Sequence, residues 1–210
     1  SPISPILVND APCHDVVCKG DALVGEGRGL DALPIPISSP GFDSAPYLTA
    51  TNCISRDPET GIQNMGTYRA GLKASNRLAL RWATRPGGAE GYLHWQKYQK
   101  LGKKMPCAIV LGCPPVVAYT SPQKLRTGLD EISVAGAIAG TPIRVVQAKT
   151  VDLVVPADSE LVIEGFVNIE YLEPEAPFGE SHGHIALEDF NAIFEVTAIT
   201  HRQEPVIPSI

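Results

Sequence analysis

Asn64-Met65-Gly66-Thr67-Tyr68-Arg69 ends a turn-prone stretch on a guanidinium, and Pro174-Glu175-Ala176-Pro177-Phe178-Gly179-Glu180 carries two carboxylates five positions apart. Two prolines and a glycine keep the second stretch from being helical, so it reads as a loop able to aim both acids into one cleft. An arginine stays protonated at any working pH, and its planar fork matches a carboxylate. If Arg69 meets Glu175 and Glu180 in that cleft, the trio can bind a substrate carboxylate, move a proton and shift the acids' pKa values. Taken alone, glutamates in a Pro- and Gly-rich segment are more often solvated surface acids. A two-carboxylate glycosidase would also use such a pair, but it leaves Arg69, Asn64 and Glu131 unexplained.

The elements that must position these groups are mostly strands. The first 45 residues are rich in Pro, Gly, Ser and Asp, with Leu33-Pro34-Ile35-Pro36-Ile37 running into Pro40-Gly41, and are expected to wrap a domain spanning 46–210 as extended chain. Tyr47 to Ser55 is a β-type run, Asp57 to Gly61 a hairpin-like turn, and a second run continues through Tyr68 to Leu72. Arg77 to Ala83 alternates as a half-buried strand does. Ala89 to Leu101 is the one clear amphipathic helix, with Tyr92, Trp95 and Tyr98 as a core-facing stripe. Met105 to Gly112 reads as a buried strand and Leu129 to Ala139 as a short helix. Further strands are expected at Arg144 to Lys149, Glu160 to Tyr171 and Ala192 to His201. Strands joined by turns, with two inserted helices and no regular strand-helix alternation, predict a mainly β, α+β domain built as a barrel or sandwich.

Composition narrows the function. The 210 residues carry a formal charge of −6, which offers no basic surface to a nucleic acid. No apolar run approaches the roughly 20 residues of a bilayer span. The five cysteines are odd in number and unclustered, which argues against a disulfide framework and for a reducing, cytoplasmic setting. Cys13, His14 and Cys18 hint at zinc but lack the second half of such a site, and read as plain thiols. The chain opens without an initiator methionine or a signal peptide, and is expected to be part of a longer protein.

The two stretches, with Arg81-Trp82-Ala83, Gly102-Lys103-Lys104-Met105-Pro106, Leu111-Gly112-Cys113-Pro114-Pro115, Glu131 before Val134-Ala135-Gly136-Ala137, Val155-Pro156-Ala157 and Ile163-Glu164-Gly165, resemble the UbiD family of decarboxylases. These pieces follow the family's order from about Ala11 to Pro205. The resemblance implies that the chain is the central flavin-binding domain, a split β-barrel like that of flavin reductases. On this resemblance the family's N-terminal α/β segment and C-terminal domain are expected to be absent from the sequence given. It implies prenylated FMN, supplied by a flavin prenyltransferase, and reversible non-oxidative decarboxylation of an aromatic or α,β-unsaturated acid. Full-length members are commonly homo-oligomers.

No phosphate-cradling glycine loop occurs in the sequence. In the family a divalent metal bridges the flavin phosphate to an asparagine and a glutamate, which match Asn64 and Glu131; oxygen ligands suit Mn²⁺ or Mg²⁺. K⁺ often accompanies it. By themselves Asn64 is a turn residue and Glu131 a helix-dipole partner. A histidine ligand present in some members has no match near Pro86-Gly87-Gly88, and His94 reads as a core or surface residue. Flavin contacts map onto Thr67, Tyr68, Arg69, Arg81, Trp82, Ala83, Pro86 and Gly87. The absence of a Cβ at Gly66 and Gly87 would let a ring or phosphate approach closely. By the resemblance Arg69 holds the substrate carboxylate, Glu175 holds Arg69, and Glu180 donates the proton, being the less well paired of two acids that share one arginine. His182 and His184 alternate as on a strand; an aromatic is common where His184 stands, so this departure bears on the substrate pocket. The alternative, from another class, is a truncated, non-catalytic flavin-binding domain.

Overall fold

The computed structural model describes residues 1–82, 89–126, 128–187 and 189–210. The strands of the first half are β1 (Ile6–Val8), β2 (Val16–Lys19), β3 (Tyr47–Leu48), β4 (Thr51–Arg56), β5 (Gln63–Gly66), β6 (Ala70–Ala74) and β7 (Arg77–Leu80). Helix α1 (Glu90–Leu101), strand β8 (Met105–Leu111) and helices α2 (Pro115–Thr120) and α3 (Glu131–Ala139) follow. The chain finishes with β9 (Arg144–Gln147), β10 (Val154–Pro156), β11 (Leu161–Glu175), β12 (Phe178–Gly179), β13 (Ile185–Ala186) and β14 (Asp189–His201). The domain is mainly β with few helices.

The main sheet runs β3-β6-β7-β14-β11-β8-β4-β5, with β2 added to β14. Its hydrogen-bonded path is open: β3 and β5 lie at its two ends. A smaller sheet, β1-β9-β10, and a ribbon, β12-β13, complete the pairing. Strands β4, β8 and the 161–168 part of β11 are largely buried on both faces, and side-chain alternation divides them between two cores. Cys53, Cys107, Ile109, Leu161 and Ile163 enter a core with Trp82, Trp95 and Phe194, while Ile54, Ala108, Val110 and Val162 enter one with Ile132, Val145 and Val155. The helices thus cover opposite faces. Trp95 of α1 closes the first core and Ile132 of α3 the second.

Several elements differ from the sequence reading. The N-terminal segment is not only wrapping, because β1 pairs in parallel with β9 and β2 pairs with β14. Helix α2 was unforeseen. It is six residues long and begins on Pro115, whose missing N–H costs nothing at a first helical position. Helix α3 starts two residues later than expected because Asp130 caps it, accepting from the N–H groups of Ile132 and Ser133. The run expected through Tyr68 divides into β5 and β6, and Thr67 to Arg69 form the connection between them.

The longest strand bends at a glycine. The β11–β14 register shifts between Glu164 and Gly165, and a Cβ at Gly165 would lie 2.0 Å from the Glu195 carbonyl oxygen. Backbone cannot step aside there as a flexible side chain can. Gly165→Ala is therefore expected to destabilise the domain by at least the roughly 1–3 kcal/mol of a forced small-to-large change. A lowered denaturant midpoint at unchanged slope would show it.

Candidate active site

Arg69 leaves the β5–β6 connection beside a backbone pinned on both sides. Thr51 donates its hydroxyl to the Tyr68 carbonyl and accepts from the Tyr68 N–H at 3.2 Å. The Arg69 carbonyl accepts from the Arg81 N–H at 3.0 Å. The guanidinium then meets both acids. Nε and Nη2 donate to the two oxygens of Glu175 at 2.7 and 3.0 Å, and Nη1 donates to Glu180 Oε1. Its carbon lies 4.5 Å from the centroid of the Phe178 ring, a cation–π contact. Burial alone would lower the Arg69 pKa; the hydrogen bond and charge of Glu175, then those of Glu180, more than reverse this and raise it.

The two acids are held differently. Glu175 is not in a loop: it ends β11, opposite Asp189 of β14. Beyond Val167, β11 has lost its β8 neighbour and is an edge there, where Pro174 is tolerated. The Glu175 side chain is fully buried, whereas that of Glu180 is 33% exposed. Glu180 follows β12, and the N-terminal segment braces that turn. Asp43 accepts from the Gly179 N–H at 2.8 Å, and a Cβ on Gly179 would lie 2.3 Å from Ser39 Oγ. The first 45 residues therefore help to position the Glu180 end of the site.

A second constellation lies on the other side of Tyr68. Glu131, at the start of α3, accepts from the Met65 N–H through Oε2 at 2.8 Å, and burial pushes its carboxyl up to about 7. The Asn64 side-chain oxygen stands 3.2 Å from Glu90 Oε2 and 3.3 Å from Glu131 Oε1. Burial, then the charge of Asp57, also raises Glu90. The space over Gly66 is not open as the sequence suggests. The Tyr68 phenol occupies it, wedged between Gly66 and Gly91, so a Cβ at Gly66 would lie 2.2 Å from the phenol oxygen.

Two cavities abut along this wall. One, of about 450 Å³, is lined by Asn64, Glu90, Glu131, Ser121 and Lys124; the other, of about 630 Å³, by Arg69, Arg81, Phe178, Glu180 and Thr49. Thr67 and Tyr68 line both. The geometry joins an oxygen-rich end to an end lined by the Arg69 and Arg81 guanidiniums and the Glu180 carboxylate, across a wall shared by Thr67 and Tyr68.

A model of the UbiD family, described as the 3-octaprenyl-4-hydroxybenzoate carboxy-lyase Rift-related domain, matches residues 7–210. This chain belongs to the UbiD family. An uncharacterized protein of Archaeoglobus fulgidus is 32% identical to it over 203 residues, 96% of this chain and 40% of that protein. The UbiD-class enzyme HmfF of Pelotomaculum thermopropionicum, in an evolved dimeric form in complex with prFMN, is 32% identical and superposes with a TM-score of 0.90, over 99% of this chain and 47% of its own. The closed form of the vanillic acid decarboxylase of Sedimentibacter hydroxybenzoicus is 27% identical, with a TM-score of 0.88 over 98% of this chain and 43% of its own. The chain spans less than half the length of these relatives.

The residues that the UbiD resemblance marks fall unevenly on the site. Asn64, Thr67, Tyr68, Arg69, Arg81, Glu131 and Glu180 line the cavities, and Glu175 lies directly behind Arg69. Trp82 does not line either cavity: its indole is buried in the first core, edge-on to Tyr68 with ring centroids 6.2 Å apart. Ala83, Pro86 and Gly87 lie outside the described residues. His182 sits in a turn rather than on a strand, and neither it nor His184 lines either of these two cavities. The cysteines are free, and burial pushes the Cys13 thiol up to about 12. No group of three His, Cys, Asp or Glu side chains poised to hold a metal occurs among the described residues. Sequence reasoning missed Glu90 and the Ser121 to Leu125 segment. Glu90 looks like an ordinary first-turn acid, and the segment follows the helix that was not foreseen.

Of the core and surface placements left open for His94, the structure shows the core. Its Nδ1 lies 2.9 Å from Ser55 Oγ, and burial pushes its pKa down to about 4, against smaller opposed effects of Asp57 and Lys97. In the unfolded chain it titrates near 6.5, so between pH 6.5 and 4 the unfolded state takes up a proton that the folded state refuses. Its contribution is complete above that window and is lost as the pH falls through it, by about 3 kcal/mol. His94→Gln should flatten this part of the stability profile in denaturant titrations from pH 7 to 4.

Proposed function

We propose that this chain holds prenylated FMN, supplied by a flavin prenyltransferase, and a divalent cation, Mn²⁺ or Mg²⁺, and serves the reversible decarboxylation of an aromatic or α,β-unsaturated carboxylic acid. The observation that carries this reading is the convergence of Glu175 and Glu180 on Arg69, with Arg69 and Glu180 at one cavity wall, beside the oxygen cluster of Asn64 and Glu131. Two UbiD relatives lend support, one solved with prFMN and one a vanillic acid decarboxylase. The five free cysteines fit a reducing, cytoplasmic setting. The long, bent β11 and β14 fit a split barrel, since register shifts are how sheets turn such corners.

The cofactor, when bound, supplies the electron sink that an aromatic or vinylic carbon lacks. Asn64 and Glu131 would hold the cation that secures its phosphate. Thr67, Tyr68, Arg69, Arg81, the backbone of Trp82, and Ala83, Pro86 and Gly87 would contact the flavin. Arg69 would take the substrate carboxylate through its Glu180-facing edge, since Glu175 already occupies two of its donors. This leaves Glu180 the more weakly tied acid, at the cavity and able to deliver a proton to the carbon that loses CO₂. Glu175 positions Arg69.

The second reading is a domain that holds flavin without turnover. Co-expression with a flavin prenyltransferase followed by absorbance spectroscopy tests cofactor binding. CO₂ release from unsaturated and hydroxylated aromatic acids then separates the two readings. A colourless protein after co-expression would overturn both.

A further inference from the structure

We infer that Glu90 is a third protein ligand of the divalent cation, completing an all-oxygen set with Asn64 and Glu131. The inference rests on the proposed metal role of those two residues and adds one that the family resemblance does not supply.

The argument starts from Asn64, which is 7% exposed. Its side-chain oxygen faces only acceptors, Glu90 Oε2 at 3.2 Å and Glu131 Oε1 at 3.3 Å. A buried acceptor that meets two more acceptors is repelled by both unless something positive lies among them. Turning the amide over would place its NH₂ there, since the oxygen and nitrogen of an amide are told apart only by their surroundings. A cation achieves the same relief without the turn, and the spacing suits one. An octahedral ion with oxygens at about 2.0–2.1 Å places neighbouring ligands about 2.9–3.0 Å apart. The observed separations exceed this by only a few tenths of an ångström.

The surroundings point the same way. Glu131 has already committed Oε2 to the Met65 N–H, so Oε1 is the oxygen left to face the cluster. Glu90 enters from a different element, the first turn of α1, and all three groups line the same cavity as Ser121 and Lys124. Two carboxylates and an amide oxygen form a hard donor set, suited to Mn²⁺ or Mg²⁺ rather than to soft ions.

The test uses Mn²⁺ alone, titrated into the chelator-stripped chain and followed by calorimetry and by the EPR signal of the free ion. Glu90→Gln keeps the side chain's shape and should weaken Mn²⁺ binding at least tenfold, as should Asn64→Ala and Glu131→Gln. The exposed Glu59→Gln should not. Glu90→Cys should lose Mn²⁺ and gain one Cd²⁺ while keeping the parent's denaturant midpoint, which separates it from a misfolded chain that binds Cd²⁺ through its otherwise buried cysteines. If Asn64→Ala and Glu131→Gln lose Mn²⁺ while Glu90→Gln binds within twofold of the parent, Glu90 is not a ligand and the metal reading stands. If the parent takes up no Mn²⁺, or none of the variants weakens it, the metal reading fails and the assignment of Glu90 falls with it.

Discussion

Glu180→Gln should lower CO₂ release by the roughly 10²–10⁴-fold that a positioned general acid contributes, with the bound-flavin spectrum unchanged. Glutamine keeps the length of the side chain, and its amide oxygen can still accept from Arg69 Nη1, so the cavity wall keeps its shape. What it lacks is the proton. Glu180 is suited to the loss because its side chain is one-third exposed and makes a single bond to Arg69, while Glu175 fixes the guanidinium through two others. The folding cost should accordingly stay within about 1 kcal/mol, the range of partly exposed ion pairs. Parent-like turnover in the variant would remove Glu180 from the reaction. Loss of the flavin spectrum would instead make it a residue that shapes the cofactor site.

The contrast between the two acids was only half legible in the sequence. That Arg69 meets both glutamates is an expectation of the UbiD resemblance, since residue types alone fit surface acids equally well, and the structure brings the three together. Their unequal support does not follow, because it depends on which strand ends where. Pro174 and Pro177 bracket Glu175 and read as a loop, yet β11 runs through Pro174 because β14 pairs with it after β8 has ended. Local propensity could not foresee an edge created by a neighbour's length. Gly66 is a similar case. Its small size was readable as room for a ligand, but Tyr68 from two residues on fills that room. The aromatic stripe of α1 shows what periodicity reads well, since Trp95 is buried and Tyr92 and Tyr98 pack against the same core. Glu90, on that helix, shows what periodicity does not read: Asn64 and Glu131 come from elements distant in the chain, and only the tertiary fold sets the Asn64 amide 3.2 Å from Glu90 and 3.3 Å from Glu131.

Arg69→Met is expected to cost the domain about 3–5 kcal/mol of folding stability, the penalty for stripping the partner from a buried charge. The Glu175 side chain is fully buried, and both its oxygens accept from Arg69, its charged partner among the described residues. Methionine leaves an apolar stem beside Phe178 and a carboxylate with nothing to neutralise it. Glu180, one-third exposed, can turn toward water and does not share this fate. The two halves of the pair should therefore behave asymmetrically in a double-mutant cycle. Arg69→Met alone should lower the denaturant midpoint sharply, while Arg69→Met with Glu175→Leu should recover most of the loss, because an apolar pair of similar volume needs no desolvated charge. The same double variant should bind no substrate carboxylate, so its recovered stability would come without recovered turnover. Equal destabilisation in the single and double variants would mean that Arg69 stabilises the fold by its packing on Phe178, 4.5 Å away, and not by its charge.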